Sequence, residues 1–87
     1  MRNFRKLNIW NESIHIVTIV YELIKKLPDS EKLGLYSQLF RAAVSIPSNI
    51  AEGCAKDSQK DFARFLKISL GSSFEVETQI MKTQELF

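Results

Sequence analysis

The sequence predicts an all-α fold, an up-down-up antiparallel bundle of three long helices in one domain. Three long stretches carry apolar residues at steps of three and four, the period of one helix face. Breakers are scarce, with Gly34, Gly53, Gly71, Pro28 and Pro47 the only glycines and prolines in 87 residues. No stretch alternates apolar and polar residues as a half-buried strand would, and no hairpin dipeptide occurs.

The first helix is predicted from Asn8 or Trp10 to Leu27, stopped by Pro28. Trp10, Ile14, Val17, Tyr21 and Ile24 form one stripe, and Ile9, Ile16, Val20, Leu23 and Leu27 form its neighbour. The combined face is wider than one partner helix covers, while Asn11, His15, Thr18, Glu22 and Lys25 mark the solvated side. Asp29 and Ser30 are the candidate N-caps of the next helix.

The second helix is predicted from Lys32 or Leu33 to Cys54, bent near Pro47. Proline removes a backbone donor and crowds the carbonyl four residues back, here that of Ala43, at a cost of about 3 kcal/mol in a helix interior. A competing reading splits the segment, with Ser45 capping a new helix that carries Pro47 in its first turn. The bent helix is favoured, because Leu39, Ala43, Ile46, Ile50 and Cys54 keep one phase across the proline. Gly53 and the polar run Lys56-Asp57-Ser58 end it.

The third helix is predicted from Gln59 to about Glu85. Ser58 and Asp61 ahead of it resemble a capping box, with Asp for the usual Glu or Gln. Phe62, Leu66, Ser69, Ser73, Val76 and Ile80 form its face, widened by Phe65, Leu70, Phe74 and Met81. Gly71-Ser72-Ser73 places three small residues mid-helix, which reads as a site of close helix approach.

A chain this short buries only about 60–65% of the surface its unfolded form exposes, so it needs support beyond a private core. One cysteine, Cys54, excludes an internal disulfide framework and a cysteine-rich zinc site, and one histidine, His15, argues against a histidine-based metal centre. Self-association remains, through Trp10, Tyr21 and their neighbours, joined by Leu86 and Phe87. The Met1–Lys6 start does not read as a signal peptide, and no apolar run approaches the roughly 20 residues of a membrane span. The expected compartment is the cytoplasm.

Phe4, Trp10, Gly34-Leu35, Gln38-Leu39, Arg41-Ala42-Ala43-Val44-Ser45-Ile46-Pro47, Asn49-Ile50-Ala51-Glu52-Gly53, Phe62, Phe65-Leu66, Gly71-Ser72, Glu75 and Glu77 together resemble a known pattern. It is that of the bacterial four-helix-bundle family often encoded by intervening sequences within 23S ribosomal RNA genes. The resemblance covers nearly the whole chain. It implies a left-handed four-helix bundle assembled into a ring-like homo-oligomer, a pentamer, with no known catalytic activity. A related bundle is an accessory protein of diversity-generating retroelements, whose basic surface is thought to engage nucleic acid and a reverse transcriptase. The family's fourth helix is absent from this sequence, so either the chain is truncated or a partner supplies that wall.

Two polar stripes are candidate sites. Gln38, Arg41, Ser45, Asn49 and Glu52 share one face of the second helix. They read as a ligand or nucleic-acid groove, with Arg41 for phosphate, or as structure. In the structural reading, which is favoured, Ser45 and Asn49 occupy backbone groups freed by Pro47 while Arg41 and Glu52 pair across a subunit interface. Lys56, Lys60, Arg64 and Lys67 follow at steps of four, four and three and fit a phosphate track for RNA or DNA. Asp57 and Asp61 dilute that field as partners for Lys60 and Arg64, and no aromatic residue interleaves the stripe, so an ordinary solvated face is favoured.

No catalytic, cofactor or metal site is expected. Glu52, Glu75 and Glu77 lack the Glu-x-x-His pairs of a bundle di-iron centre, His15 has no nucleophile nearby, and Cys54 lies in the apolar phase. The functional expectation is a non-catalytic oligomeric bundle with an RNA-binding surface. The alternative is an inert structural or protein–protein interaction module.

Overall fold

The computed structural model describes residues 2–29 and 34–86. A single 3-10 turn, Phe4–Lys6, precedes three helices: α1 (Asn8–Lys25), α2 (Leu35–Cys54) and α3 (Gln59–Leu86). There is no strand among the described residues. Helix α2 lies in the middle, packed along α1 on one side and α3 on the other, while the two outer helices scarcely touch. Successive helices run antiparallel: Tyr21 meets Phe40 across α1 and α2, and Ser72 and Gln79 meet Ser45 and Gln38 across α3 and α2.

Helix α1 ends two residues before Leu27. A residue preceding proline is pushed out of the helical region, and the chain tightens into i→i+3 bonds from Lys26 N–H to the Leu23 carbonyl and Leu27 N–H to the Ile24 carbonyl. Helix α2 starts at Leu35 with Gly34 in the cap position, so Asp29 does not cap it. The other expected cap, Ser30, and the expected start at Lys32 or Leu33 lie outside the described residues, as does Phe87. Helix α2 is continuous through Pro47, which disposes of the split reading.

At the start of α3 the Ser58 hydroxyl accepts from Asp61 N–H at 3.0 Å, one half of a capping box. The other half is not made. The Asp61 carboxylate turns outward, 3.7 Å from Arg64 Nε, because its side chain is one methylene shorter than the usual glutamate.

The core is Val20 of α1, Leu39, Ala42, Ala43, Ile46 and Ile50 of α2, and Val76 of α3, with Trp10, Val17, Ile24 and Leu66 packed against it. Five of its residues lie on α2 within about three turns, and two of these are alanines that let both neighbours approach closely. The tightest approach is at Gly53, not at Gly71 where the small-residue run predicted it. A β-carbon on Gly53 would stand 2.8 Å from Phe65 Cβ, whereas one on Gly71 meets nothing within 4 Å. Gly71 falls on the exposed side of α3, and only its neighbour Ser72 turns toward α2.

Gly53→Ala is therefore expected to cost about 1–3 kcal/mol, since its neighbour is a β-carbon fixed to a helix backbone and not a flexible tip. Gly71→Ala gains helix propensity without a clash and is expected to stabilise by up to about 1 kcal/mol. Urea denaturation of both variants at one protein concentration, read by far-UV circular dichroism, checks the opposite signs.

Candidate nucleic-acid interface

The two polar stripes have different fates. On α2, Ser45, Asn49 and Gln38 point toward α3 and form a seam. Ser45 Oγ lies 2.7 Å from Ser72 Oγ, and Asn49 Nδ2 donates to both the Ser45 carbonyl and Ser45 Oγ at 2.8 and 2.9 Å. Ser69, which is 4% exposed, donates to the Ile46 carbonyl at 2.9 Å. Gln79 Nε2 donates to Gln38 Oε1 at 3.3 Å, while its own carbonyl oxygen is buried with no partner among the described residues. The seam brackets Pro47, but its donors take the Ser45 and Ile46 carbonyls and not the Ala43 carbonyl that the proline leaves. Arg41 and Glu52 stay exposed on the outer side of α2. Arg41 sits at the level of Val76, several turns of α3 beyond Lys67, and so is not brought to the other cations.

The second stripe is regrouped by the α2–α3 turn and by the chain's first residues. Lys60 and Lys67 are exposed on α3, and among the described residues neither has an ion pair. Lys56 lies in the turn, half-buried, with its ammonium 5.1 Å from the centre of the Phe65 ring. Arg64 reaches the same ring, its guanidinium carbon 4.6 Å from the centre. Each charge thus lies about 5 Å from one ring, whose quadrupole attracts both. Phe65 is 9% exposed and offers no open face to a base, but it lies beneath two cations.

Arg2 joins them, a residue that the helical spacing of the stripe had no means of including. Its backbone N–H donates to the Cys54 carbonyl at 3.2 Å, which straps the N-terminal segment across the end of α2. Its side chain donates to the Lys56 carbonyl at 3.2 Å and to Gln59 Oε1 at 2.7 Å, with the guanidinium 4.0 Å from the centre of Phe62. Both hydrogen-bond partners are neutral, so among the described residues the charge of Arg2 has no carboxylate against it. The one sequence signal was the aromatic spacing Phe62–Phe65 one turn from the cations.

The strap closes the base of the bundle. Asn3 Oδ1 accepts from Arg5 N–H at 3.1 Å and fixes the 3-10 turn. Phe4 packs at 5.1 Å between ring centres on Trp10, and the Arg5 guanidinium lies 4.5 Å from the Phe4 centre. Asn11 ties α1 to this turn by donating to the carbonyls of Arg5 and Leu7, both at 3.0 Å. One end of the molecule therefore carries Arg2, Arg5, Lys6, Lys56, Lys60 and Arg64, set against Asp57 and Asp61.

The proposed self-association residues form a different surface. Trp10, Ile14 and Val17 of α1 face Val44, Pro47, Ser48 and Ala51 of α2 across an open apolar cleft of about 310 Å³. Tyr21 is 51% exposed and leans on Phe40, ring centres 6.1 Å apart. Between α1 and α3 runs a second open groove of about 370 Å³, with the buried Ile46 and Ile50 at its floor and Ile9, Ile16, Leu66 and Leu70 along its sides. The seam leaves neither apolar surface covered. His15, Glu75 and Glu77 are exposed and Cys54 is buried.

Arg2→Ala removes two hydrogen bonds and a cation–π contact from a half-buried site and is expected to cost about 1–3 kcal/mol. Trp10 fluorescence during urea titration is the readout, since Trp10 packs on the same strap.

No helix among the described residues is long and apolar enough to cross a membrane. Comparison with curated protein sequences finds no match. Residues 5–86 match the family described as 23S rRNA-intervening sequence protein. With that match over nearly its whole length, and three packed helices in a row, the chain belongs to the 23S rRNA-intervening sequence protein family.

Proposed function

We propose that this protein is a non-catalytic, self-associating helical scaffold whose basic end engages RNA through its phosphates. The observation that carries the reading is the group Arg2, Lys56 and Arg64, held on the rings of Phe62 and Phe65. Ring contacts fix the cations without neutralising them, so their charge stays available to an anion. Among the described residues only Arg64 of the three has an ion pair, and that pair is more than half exposed and weak. Lys60 extends the group outward, and Lys67 continues it along α3 about one turn beyond Arg64. Arg41 belongs to another part of the surface and serves, with Glu52, contacts between copies.

Self-association supports the same reading in two ways. The cleft lined by Trp10, Ile14 and Pro47, with Tyr21 and Phe40 beside it, presents apolar area that a second copy covers. Each added copy also repeats the basic end, so a ring sums several weak fields into one strong one. The family's link to 23S ribosomal RNA genes agrees with an RNA partner. An inert structural or protein–protein module is the second reading, favoured by the apolar grooves alone, and the same titration separates the two.

Binding of a generic RNA should weaken steeply with salt, because neutralising phosphates releases counterions. For about four phosphates per protomer on a single strand, affinity falls about fifty-fold between 50 and 200 mM salt. Lys60→Glu with Arg64→Glu should abolish binding while helix content is retained. Absence of binding at low salt, with the assembly intact, leaves the inert module.

Sedimentation velocity at micromolar concentration should show an oligomer, and Tyr21→Glu should dissociate it by placing a charge in the apolar contact. A wild-type monomer would overturn the scaffold reading.

A further inference from the structure

Between the N-terminal strap and the end of α2 lies a pocket of about 300 Å³ that Arg2 of the cation group borders. Arg2, Asn3 and Arg5 form its rim, and Phe4, Ala51 and Cys54 its walls. We propose that this pocket seats one unpaired nucleobase while the neighbouring cations hold its phosphate, so that the basic end selects single-stranded over duplex nucleic acid. The inference rests on the nucleic-acid reading above and names the form of ligand that the site takes.

Four observations point to a base. The volume lies at the small end of ligand pockets, about 300–1,000 Å³, and suits a flat fragment more than a peptide helix. The walls are apolar and the polar groups are confined to the rim, which matches a base that buries its faces and leaves its sugar-phosphate outside. Asn3 spends its side-chain oxygen on the Arg5 N–H, which leaves its amide N–H groups for an acceptor on a base edge. Arg2 and Arg5 both line the pocket, Arg5 with its guanidinium over the Phe4 ring there and Arg2 reaching beside it to Phe62, so cations stand next to the mouth where a phosphate would sit.

A duplex satisfies only half of this site. Its phosphates reach the rim cations, but its bases stay stacked inside the helix, and sequence-tolerant recognition of unpaired strands combines a cationic track with a place for exposed bases. An acidic peptide offers carboxylates to the rim but no flat base to the apolar walls.

Ala55 also lines the pocket and is exposed at the end of α2, so Ala55→Leu fills the space without entering the core. The probes are a short single-stranded RNA carrying one 2-aminopurine and the duplex formed with its complement, both titrated at low salt. The wild type should prefer the single strand by at least about fivefold, the scale of burying one base. 2-Aminopurine emission should change on saturation. Ala55→Leu should remove that preference by weakening the single strand alone. Equal affinity for the two probes, or an Ala55→Leu effect that is absent or the same on both, overturns the pocket while leaving the phosphate reading intact. Failure of the wild type to bind either probe overturns both. If Ala55→Leu does not fold, the wild-type 2-aminopurine signal decides, and unchanged emission at saturation refutes the inference.

Discussion

One helix serves two neighbours, and most of this structure follows from that. Helix α2 is buried against α1 on one side and α3 on the other, while α1 and α3 contribute little to each other. A helix packed on two sides needs an apolar arc wider than the usual stripe, and it needs small residues where both partners approach. Ala42, Ala43 and Gly53 meet the second requirement, with Gly53 so close to Phe65 that no β-carbon fits without a shift. The wide arc leaves polar residues at its margin half-buried. Such groups need partners: Ser45 and Gln38 find them across the α2–α3 contact, and Asn49 finds its own in Ser45 of the same helix.

The same arrangement separates function from packing. Because the α2 polar stripe is absorbed by α3, its hydroxyl and amide groups are not free to read a ligand. The cations near the α2–α3 turn have the opposite fate, since the rings beneath them are a buried Phe65 and a half-buried Phe62. A ring that is buried for packing reasons presents one face outward, and a long basic side chain lies over it with its charge still in water. Phe62 and Phe65 thus serve the core and the surface together. The N-terminal strap makes this end a pocket and not a flat patch, and it holds α1 to the base of α2, a junction the two outer helices do not provide for themselves.

The apolar surfaces on either side of α1 have a common origin. With only α2 against it, α1 buries just Ser13 and Val20 and leaves Ile9, Ile19 and Tyr21 about half exposed or more. A layer of three helices cannot cover an arc this wide. Covering that area against another helix would add apolar burial, the contribution a bundle this small has least of.

Local chemistry made much of the fold legible. Apolar period fixed three helices, the Pro28 boundary and the continuity of α2 through Pro47, and Ser58 was readable as a cap because its role is complete within four residues. The family was legible too, from the run around Ser45 to Gly53. What the sequence did not carry was which small residue takes the close contact, since Gly53 and Gly71 look alike until α3 has a defined rotation against α2. Nor did it carry the composition of the basic site. Arg2 is more than 50 residues from Lys56, and only the strap across Cys54 brings them together. Helical spacing reports neighbours on one helix, so Arg41 and Lys60 looked equally eligible although they lie far apart. The separation was decided by the antiparallel registry of α2 and α3, a property of packed surfaces that no local pattern encodes.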